Sequence, residues 1–375
     1  MSALRSAEPA TTAFCKTAFT RGVRNLLNNC LQLSSGQTLL IFHESTAFAE
    51  ADLYYCARLP DAIATIAEQQ GIKVALHEVP VVEDANSLEI TTLAAAKDAD
   101  ATVFLARCGD QLRFNPCANS TSVAVVYAVN GPMMASGFAL VPHQSMLSLR
   151  AFLDNALKST ELIRVTCPYG TDYQGRWEQS NNADVEVSCM RFPVAIGQPV
   201  PGSGFTGTIA TPAFLVGSGS RFFQPYALEL ARPLVATIED NRIEALAGKD
   251  ADVSRTHDFY TRVSERYGID AWLVNSWHAG IHAGCDYPWP ASENYQRWSG
   301  TAFGNPRLAH VHTCGDYAPG EICWNIVDPT ITLDDVPVWD QGRLQPQRLP
   351  GGEALLAEHP ELQDILANPA TAIGL

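Results

Sequence analysis

The chain has 375 residues, 46% of them hydrophobic, which is enough material for two domain cores. Its net charge of -15 argues against a nucleic-acid partner, because phosphate binding requires a basic patch. No run of about 18 apolar residues is present, so no membrane-spanning helix is expected, and ten cysteines without a Cys-x-x-Cys pair predict a reducing, cytoplasmic environment.

Residues 1–165 alternate short apolar strands with amphipathic helices. The predicted helices lie at 21–33, 61–70, 88–97 and 146–157, and the predicted strands at 37–42, 73–79, 101–106 and 123–129. This alternation predicts an α/β domain with a parallel, doubly wound sheet. No Gly-x-Gly-x-x-Gly motif follows the first strand, so a structural or lid role is favoured over dinucleotide binding.

Residues 166–375 are richer in glycine, proline and aromatic residues. Turn-bounded strands are predicted at 185–192, 207–215, 234–239, 242–247, 271–274, 308–312, 322–327 and 331–333, with helices at 253–267 and 352–366. This pattern predicts an α+β domain with a curled, mainly antiparallel sheet.

The segment 277–328 contains four of the nine histidines and is the predicted catalytic region. His278 and His282 lie in a small-residue loop after the strand predicted at 271–274, and loops at strand ends commonly carry functional sites. On the next strand, His310 and His312 would share one face with Cys314.

A third motif, GEICWNIVD at 320–328, places Glu321 and Cys323 on one face of a strand. Imidazole and carboxylate ligands together suit Fe(II), whereas the same atoms could hold zinc and lower the pKa of a bound water toward about 7. We therefore predict His278, His312, Glu321 and Cys323 as metal ligands. The alternatives are a half-buried polar pair for the His-x-His motif and a buried apolar role for Cys323.

Three further residues, His282, His310 and Cys314, are predicted to act in catalysis. For His282 the alternative is a structural role, because Gly280 and Gly284 disfavour a helix there. A cysteine nucleophile at Cys314 lacks a third, orienting group, and no Gly-x-Ser-x-Gly elbow occurs.

Tryptophans accompany the histidines along the chain. Trp277, Trp289 and Trp324 are predicted to line a pocket for a planar aromatic substrate. Their alternative role, filling a β-rich core, carries equal weight.

Several sequence blocks resemble one known superfamily in their order and spacing. They are GVRNLLNNCLQLSSGQTLLIF at 22–42, IRVTCPYGTD at 163–172, FPVAIGQPVPGSGFTGTI at 192–209, NRIEALAGK at 241–249, SWHAGIHAG at 276–284 and TITLDDVPVWDQGRL at 330–344. Over residues 20–345 the chain is similar to the superfamily that joins the aminopeptidase T metallopeptidases and the 2,5-dihydroxypyridine 5,6-dioxygenases.

The resemblance implies a metal centre with His278 as a ligand, because the dioxygenases have an iron-binding histidine at this position where the peptidases have a glutamate. Both branches also carry a His-x-Asp pair shortly before the block that resembles TITLDD, where this chain has Glu321 and Cys323. His310 or His312 would match a histidine that the peptidases carry on the preceding strand. The chain therefore departs from both branches in its remaining ligands.

The leading hypothesis is a non-heme Fe(II) oxygenase, similar to ring-cleaving dioxygenases, that acts on a small aromatic or heterocyclic substrate. One alternative is a metalloaminopeptidase or amidohydrolase that uses zinc, manganese or cobalt. Another is a metal-free member with a ligand-binding or natural-product biosynthetic role. The resemblance also implies a homo-oligomer.

Overall fold

A parallel five-stranded sheet organises the first part of the chain. The computed structural model describes residues 14–44, 54–83, 98–112, 122–178, 189–315 and 320–375. The parallel strands are β1 Thr38–Glu44, β2 Lys73–Val79, β3 Ala101–Leu105, β4 Val123–Val126 and β7 Met190–Phe192, in the order β2-β1-β3-β4-β7. This confirms the predicted parallel sheet. Because β2 and β3 lie on opposite sides of β1, the direction of sheet growth reverses between β1 and β3, where open α/β sheets bind ligands.

The helices of this part follow the predicted order. They are α1 Lys16–Arg24, α2 Leu59–Gln69, α3 Cys108–Leu112, α4 Gly131–Met134, α5 Gly137–Leu140 and α6 His143–Ser159. A π-helical segment, Asn25–Cys30, continues α1, and the two together cover residues 21–30 of the helix predicted at 21–33. The helix predicted at 88–97 lies outside the described residues.

An eight-stranded antiparallel sheet forms one outer layer of the second part. Its strands are β5 Ile163–Thr166, β6 Asp172–Gly175, β9 Phe205–Thr211, β12 Leu234–Glu239, β13 Arg242–Ala247, β17 Thr330–Leu333, β18 Val336–Asp340 and β19 Arg343–Leu344. They run in the order β13-β12-β9-β6-β5-β17-β18-β19. The strand predicted at 207–215 is two strands, because the chain turns between β9 and β10 Phe214–Gly217.

A six-stranded antiparallel sheet lies between the other two and has the order β11-β10-β16-β15-β14-β8. Its remaining strands are β8 Val200–Pro201, β11 Ala227–Glu229, β14 Val274–Ala279, β15 Leu308–Thr313 and β16 Ile322–Val327. The antiparallel pairing in both sheets confirms the predicted class of the second part.

Both faces of the six-stranded sheet are buried, each in a different core. Leu308 and Val327 pack in the core of the parallel sheet. Val311 and Trp324 pack in a second core with strands of the eight-stranded sheet. Alternate residues of β15 and β16 therefore enter different cores, since side chains along a strand alternate between faces.

The chain crosses the predicted division at residue 165, because β7 returns to the parallel sheet after β5 and β6 have joined the eight-stranded sheet.

The other helices are α7 Asp250–Tyr267, α8 Tyr295–Thr301, α9 Gly352–Glu358 and α10 Pro360–Ala367. The single helix predicted at 352–366 is broken before Pro360, which has no N–H to donate. Within the described residues, no helix has the length and apolar character needed to cross a membrane.

Candidate metal centre

Three histidines meet on one face of the six-stranded sheet. Strand β14 pairs with β15 so that His278 lies opposite His310 and Ser276 lies opposite His312. Residues that lie opposite one another in an antiparallel pair project to the same side. The prediction that His278 follows a strand at 271–274 was wrong, because pairing with β15 on one side and β8 on the other extends β14 through Ala279.

The three imidazoles are close enough to share one ion. Each of His278, His310 and His312 is buried and offers one nitrogen, and these nitrogens lie within 4.8 Å of one another. The rings of His278 and His310 stack at 5.2 Å, and the His312 ring stands nearly perpendicular to both. A metal–nitrogen bond of about 2.1 Å places two ligands at most about 4.2 Å apart. Small side-chain adjustments would therefore complete the set.

The hydrogen bonds of the three rings differ. His278 donates from Nδ1 to the carbonyl oxygen of Gly197 at 3.1 Å. A carbonyl can only accept, so Nδ1 carries the proton and Nε2 carries the lone pair. The Nδ1 atom of His312 lies 3.3 Å from the Sγ atom of Cys323, which is opposite it on β16.

His310 has the environment expected of a metal ligand. Its Nδ1 atom is buried and has no hydrogen-bond partner among the described residues, although its ring stacks on Phe303 at 3.9 Å. Burial, followed by the neighbouring His312, His278 and Arg191, lowers the pKa of His310 well below its ordinary value. The ring is therefore neutral at pH 7 and keeps the lone pair that a metal requires. Together these features fit an imidazole-bound transition metal.

Glu321 lies outside the group of three histidines, and its role as a ligand stays a prediction. Its carboxylate accepts a hydrogen bond from Ser220 Oγ at 2.7 Å and lies 3.6 Å from the Arg221 guanidinium. The residue precedes β16, and its N–H donates to the carbonyl oxygens of Thr313 and Cys314. Glu321 is therefore held beyond the end of β15, past His312.

Cys323 contacts His312 but is not in the group of three, and its role as a ligand stays a prediction. Burial, with a smaller effect of Glu321, raises the pKa of its thiol well above the ordinary value in the metal-free chain. Its Sγ atom is placed to orient His312 through Nδ1.

His282 and Cys314 are also outside the group of three, and their catalytic roles stay predictions. The His282 ring is fully buried against Phe138, and its Nδ1 atom accepts from the N–H of Gly284 at 3.1 Å. Cys314 has φ of 64°, a left-handed conformation that ends the alternation of β15. Its side chain consequently packs in the core on the opposite side of the sheet.

The three tryptophans predicted to line a pocket lie in two different places. Trp277 and Trp324 alternate with the histidine face and lie in the opposite core, where Trp324 Nε1 donates to Tyr260 Oη at 2.7 Å. Trp289 packs perpendicular to Tyr287, with the Arg297 guanidinium 5.6 Å from its ring centre. Trp277 and Trp324 therefore fill the interior of the fold, whereas Trp289 is partly buried against the core of the parallel sheet.

A cleft that the sequence did not reveal lies at the switch point of the parallel sheet. Glu44 at the end of β1 pairs with Arg107 after β3 at 2.8 Å, and Arg107 Nη1 donates to Gln296 Oε1 at 2.5 Å. The cleft is lined by Tyr54, Tyr55, Arg107, Asp110, Gln111, Val125, Tyr127, Ser218, Gly219, Tyr226, Gln296, Ser299 and Gly300. The sequence did contain a signal for this cleft. Polar side chains follow the parallel strands, and ligands bind beyond the carboxyl ends of such strands.

Arg191 links the cleft to the histidine group. The Arg191 guanidinium lies 5.0 Å from the ring centre of Tyr127 and acts electrostatically on His310. Across the cleft, the Tyr226 hydroxyl lies 3.4 Å from Ser299 Oγ, and burial raises its pKa, so it remains a hydrogen-bond donor at pH 7. The cleft has a free volume of about 20 Å³, which is room for one water molecule. A benzene ring needs a cavity of about 150 Å³. A ring would enter only after side chains move.

Comparison with known proteins supports the fold. No family model and no curated protein matches the sequence. The structure is similar to 2,5-dihydroxypyridine dioxygenase from Pseudomonas putida KT2440, with a TM-score of 0.55 and 12% identity over 87% of this chain and 96% of that one. AmpT from Thermus thermophilus matches with a TM-score of 0.48 and 11% identity over 88% and 99% of the two chains. The resemblance noted in the sequence is thus confirmed at the level of the fold.

Proposed function

We propose that the chain is a mononuclear metal-dependent oxygenase that uses non-heme Fe(II), held by His278, His310 and His312, to act with dioxygen on a small aromatic or heterocyclic compound. The observation that carries this proposal is the buried group of three imidazoles on one sheet face. Imidazole suits iron, and three protein ligands leave positions open. A fold similar to that of a dioxygenase adds support.

Bound Fe(II) would supply redox chemistry with dioxygen at the positions that the three histidines leave open. The chain's own residues supply the surroundings. The Gly197 carbonyl fixes the orientation of His278, and the Phe303 ring fixes that of His310. The sheet face is buried, so bulk water is kept from the reacting groups.

The cleft at the switch point of the parallel sheet is the proposed substrate pocket. Its tyrosine rings offer flat walls for a planar ring, and aromatic pairs of this kind favour stacked or perpendicular contact. Burial raises the pKa of Tyr54 and Tyr226, so both hydroxyls stay protonated and can donate to an oxygen substituent on the ring. A hydroxylated aromatic or heterocyclic compound fits this combination.

The test is elemental analysis of anaerobically purified protein, followed by oxygen consumption with a panel of hydroxylated rings. Stoichiometric iron is expected in the wild type and none in His310→Ala. Iron without oxygen consumption on any ring would count against an oxygenase. Protein that holds no metal, with stability unchanged by chelator, would instead support the metal-free, ligand-binding role.

Zinc-dependent hydrolysis of an amide is the second candidate. Three neutral imidazoles with an open fourth position also form a catalytic zinc site that lowers the pKa of a bound water toward about 7. A two-metal peptidase is less well supported, because the histidine group includes no carboxylate from the described residues. Release of amino acids from a dipeptide panel by the zinc-loaded protein would favour this candidate.

We also propose that the chain forms a homo-oligomer. Light scattering of the purified protein measures this directly, and the mass of a single chain would exclude it.

A further inference from the structure

The segment that leads into β8 contains one extra residue relative to β14. Val200 lies opposite Trp277, and an isolated bridge joins Ile196 to Gly280. The three residues 197–199, which lie outside any strand, therefore face only two residues, 278 and 279, so this segment bulges out of register with β14. Bulges often occur beside functional sites, where they redirect a group toward it. Here the bulge turns the Gly197 carbonyl oxygen onto Nδ1 of His278.

A buried carboxylate holds this bulge in place. Asp154 on α6 accepts a hydrogen bond from the Gln198 N–H at 2.9 Å, and its other oxygen lies 3.4 Å from Arg150. Asp154 is only 5% exposed. A buried carboxylate is tolerated when it is paired and hydrogen-bonded, and both conditions are met here.

Gly197 fits only because it has no side chain. A Cβ atom at this position would lie 2.7 Å from Asp154 Oδ1, which is closer than real Cβ contacts. The carboxylate and the glycine are therefore matched to each other. Any side chain at position 197 would displace either Asp154 or the Gly197 carbonyl, which accepts the hydrogen bond from His278 Nδ1.

We infer that Asp154 is a positioning residue for the metal centre, because it fixes the bulge whose Gly197 carbonyl holds His278 in the tautomer that presents Nε2 as the ligand. The inference rests on the proposed metal site. When a residue that orients a metal ligand through hydrogen bonds is removed, metal affinity commonly falls by about 10- to 100-fold. Asp154 would act through two backbone groups and touches neither metal nor substrate.

The test compares the full-length protein with a set of variants. Asp154→Ala and Gly197→Ala are expected to weaken Fe(II) binding by about 10- to 100-fold. Asp154→Asn is expected to retain most of the affinity, because its amide oxygen can still accept from Gln198. Asp252→Ala is the matched control, since Asp252 is also a buried helical carboxylate that accepts a backbone N–H, from Ala231 at 3.0 Å, and pairs with an arginine.

Two measurements separate positioning from general destabilisation. Anaerobic chelator competition gives the Fe(II) dissociation constant, and ¹⁵N-histidine NMR of the metal-free protein gives the His278 tautomer, assigned with His278→Gln. We expect Asp154→Ala to lose the Nδ1–H tautomer and Asp252→Ala to keep it. We also expect Gly197→Ala to cost less affinity in the Asp154→Ala background than alone, because both act through one bulge.

The outcomes distinguish this inference from the function on which it rests. A wild type that binds no metal overturns the proposed function, while the tautomer measurement still tests the role of Asp154. A wild type that binds iron, together with an Asp154→Ala variant whose affinity and tautomer match those of Asp252→Ala, overturns the inference.

Discussion

Replacing His310 with phenylalanine is expected to stabilise the metal-free chain and to abolish its response to metal. His310 is 2% exposed, its Nδ1 atom has no partner among the described residues, and its ring stacks on Phe303 at 3.9 Å. A buried polar atom without a hydrogen bond destabilises a fold by about 1–3 kcal/mol. Phenylalanine removes that atom and keeps the stacked ring.

The expected magnitudes have opposite signs in the two states. The larger phenylalanine ring costs about 1 kcal/mol through overpacking, which leaves a net gain of about 1 kcal/mol in the free energy of unfolding without metal. The wild type gains about 2.7 kcal/mol when free metal is 100 times its dissociation constant, and the variant gains nothing. The order of stability of the two proteins should therefore reverse when metal is added.

Anaerobic denaturant titration, first in chelator and then with Fe(II), measures both free energies. His257→Phe is the control, because His257 is an exposed ring on α7 that packs against Trp272 at 5.0 Å, so its variant should keep the wild-type metal response. The reasoning fails if His310→Phe loses several kcal/mol in chelator. It also fails if metal stabilises that variant as much as the wild type.

Three other predictions concern residues outside the histidine group. Burial lowers the pKa of His282 to about 3, so its contribution to stability is complete above pH 6.5 and is lost as pH falls toward 3, by up to about 1.4 kcal/mol per unit. His282→Gln should therefore flatten the fall of the denaturation midpoint between pH 6.5 and 4.5, and an unchanged slope would contradict this. Trp324→Phe removes the hydrogen bond to Tyr260 and should cost about 1–2 kcal/mol by denaturant titration while leaving the Fe(II) dissociation constant unchanged. Glu321→Gln keeps an acceptor for Ser220 and should also leave the Fe(II) dissociation constant unchanged. A large loss of Fe(II) affinity, measured by chelator competition, would instead support Glu321 as a ligand.

Local patterns in the sequence were sufficient for most strands. Alternation and turn residues placed β2, β12, β13 and β16 at their observed bounds, because each carries its own apolar periodicity. β14 was placed too early, since small and polar residues from Asn275 onward hide a strand whose existence depends on its neighbours β15 and β8.

The misplaced strand also bears on the predicted site. Once His278 belongs to a strand, Trp277 must face the other way, so Trp277 and His278 do not lie on the same side of the sheet. Alternation correctly put His310 and His312 on one face. It could not give the position of Glu321, which precedes β16, relative to β15, because this position depends on the left-handed backbone at Gly315 and Gly320. The cleft joins separate parts of the chain, and only tertiary packing brings them together.

The six-stranded sheet separates two cores, and this separation has an evolutionary consequence. Neighbouring positions such as Trp277 and His278 are subject to different constraints, one of volume and one of chemistry. A descendant that acquires a new substrate could change the histidine face without disturbing the tryptophan face, because the backbone separates them. Homologues should therefore show substitution patterns with a period of two along β14, β15 and β16, with size retained on one face and donor atoms exchanged on the other.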